Sequence, residues 1–187
     1  MVERLIIQIK HALISLLVVF SLVSTGHTPI FYDSLSISSQ VPISSWNYWG
    51  YRKLAEKIGN EKTHQVIEII ESSDYPELIK AVITIESLWE PFAISTREAR
   101  GLMQIRMIAA KELRKEIKPA DLYDPVTNVN LGIQIFEQHM NHFLDFNEPL
   151  HWALTSYNRG RYGTFALNLK PPRTRYSNKV LALIENL

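Results

Sequence analysis

The stretch PELIKAVITIESLWEP, residues 76–91, decides the fold. Leu78, Val82, Ile85 and Trp89 recur at the spacing of one helical stripe, and Ile79 and Ile83 make a second. The segment therefore reads as a helix from Glu77 to Trp89 that is apolar on nearly all sides. Asp74 is its expected cap, with Pro76 just inside and Glu77 in the first turn. Pro91 pushes Glu90 out of the helical region and ends the helix. Glu86 continues the second stripe, so a carboxyl sits near the C-terminal end of a largely buried helix. Desolvation and the partial negative charge of the helix end both raise its pKa. A carboxyl kept protonated near neutral pH is what a general acid requires. Taken alone, Glu86 also reads as a solvated glutamate at an exposed helix end.

The flanking sequence is helical as well. Leu54, Ile58, Val66, Ile69 and Ile70 recur at helical spacing, interrupted at Gly59-Asn60. A further segment spans roughly Ile105 to Ile117. Another begins at Asp124-Pro125, with Val129, Ile133, Phe136, Met140 and Phe143 on one stripe. A fifth runs from about Pro149 to Tyr157 and a sixth from about Ser177 onward. No run alternates as strands do, so the class is all-α.

Composition agrees. The 187 residues are enough for one ordinary domain, and 46% hydrophobic with 21% charged residues fits a globular core. Lysine plus arginine number 20 and aspartate plus glutamate 19, a net of +1, which excludes a strongly basic nucleic-acid binder. The absence of cysteine removes disulfide scaffolds, thiolate metal sites and cysteine nucleophiles.

The first 27 residues differ from the rest. Arg4 and Lys10 precede an uncharged stretch from Ala12 to Val23, and Ser24, Thr25 and Gly26 follow. Residues 1–27 read as a signal peptide or an uncleaved N-terminal membrane anchor, with a buried amphipathic helix as the alternative. Residues 28–45, rich in serine, read as a polar linker. Residues 46–187 form the domain.

The loop after the Glu86 helix adds more. Glu86-Ser87 with Pro91, then Ser95 and Ala99-Arg100-Gly101-Leu102-Met103-Gln104, are followed by Asp124-Pro125 with Asn128, Leu131 and Gly132. Ser156-Tyr157-Asn158-Arg159-Gly160 and Tyr176 with Lys179-Val180 come last. In this order and spacing, over roughly Tyr75 to Leu183, the chain resembles the lysozyme-like lytic transglycosylases of the soluble-transglycosylase type. The resemblance implies a lysozyme-like helical domain with an active-site cleft, Glu86 as the catalytic residue, and Ser95, Met103, Gln104, Tyr157, Asn158 and Tyr176 as substrate-binding residues.

The residue types suit those places. Gly101 lets backbone or sugar come close. Gln104 offers donors and an acceptor to hydroxyl and N-acetyl groups. Met103 either lies against a sugar face or fills the core. Asn128 and Gly132, four apart, read as a structural pair. Tyr157 and Tyr176 can place hydroxyls beside a carboxyl with their rings buried, and Asn158 can bond an acetamido group.

A glycosidase usually needs two carboxylates. Glu90, Glu98, Asp121 and Asp124 offer no clear partner, which fits a family similar in using one glutamate. The resemblance implies peptidoglycan as substrate and cleavage between N-acetylmuramic acid and N-acetylglucosamine with a 1,6-anhydromuramyl product. It implies no metal and no cofactor; the charge balance speaks against a nucleic-acid partner, and the N-terminal segment predicts export to the periplasm or envelope, with the chain expected to be a monomer. A dedicated secretion, conjugation or phage-assembly role is also compatible. The alternatives are a goose-type-lysozyme-like muramidase and an inactive wall-binding module. Three departures from the pattern are Glu90 where asparagine is usual, Met107 for proline, and Thr155-Ser156 for alanines. His139 and His142, three apart on a helix, read as solvated side chains without a third metal ligand. The basic excess from Arg159 through Arg161, Lys170, Arg173, Arg175 and Lys179 reads as a solvated face or a hold on an anionic polymer. Trp46 and Trp49 read as core, with stacking on sugars outside the cleft as the alternative.

Overall fold

A computed structural model of the chain describes residues 45–168 and 172–185. The expected leader 1–27, nearly all of the linker and Lys170 lie outside the described residues; Ser45 already opens the first helix. Residues from Ser45 onward form one unit of seven α-helices among the described residues. These are α1 (Ser45–Ile58), α2 (Asn60–Glu71), α3 (Pro76–Ser87), α4 (Met107–Leu113), α5 (Pro125–Phe143), α6 (Pro149–Phe165) and α7 (Arg175–Glu185). The class is all-α, as the periodicity predicts.

Gly59 separates α1 from α2 with a φ of 80°, which a side chain would resist. The cap of α3 corrects one expectation. Tyr75, not Asp74, stands at its N-cap and no side chain caps it. Pro76 at the first position lacks the N–H that would need capping. α3 is also shorter than its apolar pattern. It ends at Ser87, and Leu88 and Trp89 take left-handed φ values of 52° and 60°. The turn folds the Trp89 indole back under the helix, where its Nε1–H donates to Thr84 Oγ1 at 2.9 Å. Burial of this large ring offsets two strained residues, each costing on the order of 1 kcal/mol or more.

α4 covers only the front half of its expected range. Lys118 must be extended before Pro119, so Ile117 and Leu122 reach the core through irregular backbone and a 3-10 turn at Pro119–Tyr123. Asp124 caps α5 as expected, accepting from Thr127 N at 3.0 Å. The stripe Val129, Ile133, Phe136, Met140 and Phe143 is buried throughout. α6 runs past Tyr157 to Phe165 across a break at Gly160, whose φ is 75°. The continuation places Phe165 beside Phe143 and Trp152, whose burial favours resuming the helix.

The layers follow from the apolar faces. α5 is central and packs against α6, α2 and the 3-10 turn; α3 packs against α7 and α2. The one basic residue of α3, Lys80, is buried, and its ammonium meets Glu71 at 2.6 Å and Glu77 at 2.8 Å. Trp49 corrects its core assignment: it is 38% exposed, with the Lys53 ammonium 5.4 Å from its ring centroid. No helix among the described residues is long and apolar enough to cross a membrane.

Candidate active site

Glu86 lies in the last turn of α3, half-buried. The Tyr176 hydroxyl, from the first turn of α7, donates to its Oε1 at 2.7 Å. Burial pushes the Glu86 carboxyl above its ordinary range, and the hydrogen bond from Tyr176 opposes that rise. Burial dominates, so the protonated form is favoured relative to a solvated glutamate.

Tyr157, on α6, donates to the Met103 carbonyl at 2.8 Å. Its hydroxyl is held well above its ordinary pKa by burial and then by the charge of Glu86. Tyr176 is raised in the same way by burial, the Glu86 charge and Tyr157. Glu86, Tyr157 and Tyr176 therefore share one electrostatic neighbourhood. Both tyrosines stay neutral donors.

The strand-like loop between α3 and α4 forms the next layer. Arg100 pairs through its backbone with Ile105 at 3.0 and 2.9 Å, and Gly101 N–H donates to Ala93 O at 2.9 Å. Gly101 needs its φ of 77°, and a Cβ there would sit 2.5 Å from the Leu122 carbonyl. Asn128, fully buried on α5, pins this loop. It accepts from Met103 N at 2.8 Å and donates to Arg100 O at 2.9 Å and Leu122 O at 2.8 Å. Gly132, one turn on, makes room for Met103; a Cβ there would come within 2.8 Å of the Met103 Cβ. The expected structural role of the Asn128–Gly132 pair is what the packing displays.

The residues expected to bind substrate fall in different places. Glu86, Tyr157 and Tyr176 are brought together. Gln104 is half-buried, and its Nε2 donates to Ala93 O at 3.2 Å and Gly101 O at 3.0 Å. The Met103 side chain is fully buried in the core, and only its backbone reaches the site. Ser95 shapes the loop, its Oγ accepting from Arg97 N at 3.3 Å and Ala99 N at 3.0 Å. Asn158 is exposed immediately after Tyr157. Glu90, which offers no clear partnership with Glu86 in the sequence, is engaged by Lys57 at 3.3 Å.

His139 departs from the solvated reading. It is half-buried, its Nδ1 lies 3.1 Å from Ser156 Oγ, and it meets the Tyr157 ring edge-on at 6.5 Å between centroids. Burial, then Arg161 and His142, hold its pKa down to about 4, so it is a neutral packing partner of Tyr157. Its spacing from His142 drew attention to metal binding, and nothing local in the sequence signalled the Ser156 contact. The open groove between α2 and α5, lined by Glu68, Asn130, Gln134 and Glu137, contains none of the expected site residues.

A helical domain that holds a half-buried carboxyl against a tyrosine hydroxyl is the class these observations define. Residues 69–168 match the family model described as the transglycosylase SLT domain, and the chain belongs to that family. The chain is 31% identical over 121 residues to the membrane-bound lytic murein transglycosylase F of Desulfosudis oleivorans, covering 59% of this chain and 26% of that protein. It superposes on the 70 kDa soluble lytic transglycosylase SLT70 of Escherichia coli with a TM-score of 0.55 and 20% identity, over 74% of this chain and 28% of that one. The fold is thus the lysozyme-like all-α fold, and the chain spans about a quarter of the length of these relatives.

Proposed function

We propose that this protein is a peptidoglycan lytic transglycosylase with Glu86 as its single acid and base. The observation that carries the reading is the half-buried Glu86 carboxyl, raised by desolvation and held by the Tyr176 hydroxyl at 2.7 Å. Protonated Glu86 gives its proton to the oxygen linking N-acetylmuramic acid to N-acetylglucosamine, and the bond to the muramic C1 breaks. The acetamido oxygen of the muramic residue stabilises the positive charge at C1. Glu86, now a carboxylate, takes the proton of the muramic C6 hydroxyl as that oxygen bonds to C1. The acid is regenerated, and the product is a 1,6-anhydromuramyl sugar.

Tyr176 orients Glu86 and stabilises its carboxylate between the two proton transfers. Tyr157 braces the loop through Met103 O. The exposed amide of Asn158 suits hydroxyl and N-acetyl groups, and half-buried Gln104, whose Nε2 donates to Ala93 O and Gly101 O, offers its Oε1 as an acceptor. Met103 contributes through its backbone, and Ser95 by holding the loop. The pairing of Glu90 with Lys57 favours this single-carboxyl reading over a muramidase. The substrate places the protein in the cell envelope, and residues 1–27 suit export or anchoring there.

The test is digestion of purified peptidoglycan by the full chain, with the products weighed by mass spectrometry. Anhydromuramic ends, lost in Glu86→Gln, are the expected result. Reducing ends establish a hydrolase instead, and no release of muropeptides refutes the enzymatic reading.

A further inference from the structure

Helix α1, residues Ser45–Ile58, precedes the part of the chain that matches the family, which begins at residue 69. It nevertheless grips the turn that follows Glu86. Lys53 Nζ donates to the Leu88 carbonyl at 2.6 Å. Lys57 Nζ lies 3.3 Å from Glu90 Oε2. Gly50 lies flat on the Trp89 indole, where a Cβ would stand 2.6 Å from Cε2. Gly50, Lys53 and Lys57 are spaced three and four apart, so they share one face of α1. That face touches Leu88, Trp89 and Glu90 in succession.

The gripped residues are the strained ones. Leu88 and Trp89 are consecutive non-glycine residues in the left-handed region, directly after Glu86-Ser87. Such a conformation persists where its surroundings over-determine it. Leu88 itself is 58% exposed, so its own side chain supplies little of that constraint. The Lys53 ammonium also meets the negative end of α3, the favourable arrangement of charge at a helix C-terminus. Trp49 sits over the Lys53 ammonium and limits where that side chain can go.

We propose that α1 is a brace that sets the position of Glu86, with Lys53 as the positioning residue and Gly50 and Lys57 in support. The brace rests on the reading of Glu86 as the acid. The last turn of α3 carries both Glu86 and the carbonyl-rich end that α1 restrains. A catalytic group needs placement within roughly 0.5 Å, so slack in this turn reaches the carboxyl. Lys53 touches no reacting atom in this account and acts only through the turn.

The experiment compares Lys53→Met and Lys53→Arg in the full chain. It reads kcat and KM for anhydromuropeptide release from soluble glycan strands, Tm, and hydrogen–deuterium exchange across residues 84–93. In Lys53→Met, kcat falls about tenfold while KM and Tm stay near wild type. Amide exchange speeds up at Leu88–Glu90 alone. Lys53→Arg restores both the rate and the protection. Unchanged kcat with unchanged exchange overturns the brace. So does a fall in kcat matched by a fall in Tm and faster exchange throughout α3 and α5, because that pattern is general destabilisation. A wild type that releases nothing refutes the proposed reaction instead. The brace is then decided by exchange alone: a local speed-up that Lys53→Arg reverses supports it, and its absence overturns it.

Discussion

Replacing Asn128 by alanine separates what holds the cleft loop from what performs chemistry. The Asn128 amide serves three backbone groups, all in the buried region behind the loop. The Arg100 carbonyl keeps a second partner, the Ile105 N–H at 2.9 Å, and is not orphaned by the change. The Met103 N–H and the Leu122 carbonyl each lose the bond that Asn128 makes. An unsatisfied buried group costs about 1–3 kcal/mol, and the space vacated by the amide adds roughly 1 kcal/mol. The expected loss is about 3–7 kcal/mol, a large part of the ~5–15 kcal/mol available to an ordinary domain. Urea unfolding should show a lower midpoint at constant slope, and Tm should fall by roughly 10–20 °C. Asn128→Asp keeps an acceptor for Met103 N but sets a carboxylate against two carbonyls. Burial and those carbonyls favour its protonated form, so this variant should lose stability as pH rises. A loss below about 1 kcal/mol in Asn128→Ala would refute the view that this amide organises the loop.

Other outcomes follow from the same geometry. Glu86→Gln should unfold like wild type near pH 4 but be the more stable protein at pH 8. The native carboxyl holds its proton above the ordinary value of 4.5, so wild-type stability falls as pH rises from there through the higher native pKa and is level beyond it. Equal stability at both pH values in urea titrations would contradict the burial of Glu86. Tyr176→Phe removes a hydrogen bond to a charged group worth about 1.5–3 kcal/mol, so kcat/KM should drop roughly 10–100-fold. The limb of the pH profile that reports loss of the Glu86 proton should move to higher pH, because the lost bond had lowered that pKa. Gly132→Ala should cost about 1–3 kcal/mol by overpacking against Met103, measurable as a lower urea midpoint.

The helices were legible wherever one stripe of apolar residues met one neighbour. Val129 to Phe143 on α5 repeats at helical spacing and begins at a capping aspartate, so local chemistry and tertiary packing agree. The ends were harder to read. Trp89 fits the apolar stripe of α3, but its indole fills space under the helix only if the chain leaves the helical region first. Phe165 likewise draws α6 beyond Gly160. In both cases a distant packing gain outweighs a local preference. In the site, Glu86, Tyr157 and Tyr176 were legible from motif order. Met103 was readable two ways, and Gly132 in the opposite helix decides between them by offering the side chain a slot. Lys53 and His139 act through partners 35 and 17 residues away, a kind of contact that spacing within one helix does not reveal.

The bond between Tyr176 and Glu86 joins residues 90 positions apart and waits for α7. α7 is itself latched late, through Thr155 Oγ1 to the Pro172 carbonyl at 2.8 Å and the His151 ring to Ser177 at 2.9 Å. During synthesis, a nascent chain has made α3 and its carboxyl well before it has made the hydroxyl that steadies it. A molecule cut short before residue 176 carries the Glu86 carboxyl without its hydrogen-bond partner. Completion of the Tyr176–Glu86 bond is thus coupled to completion of the helical domain, and truncated products inherit a carboxyl that this hydroxyl does not steady.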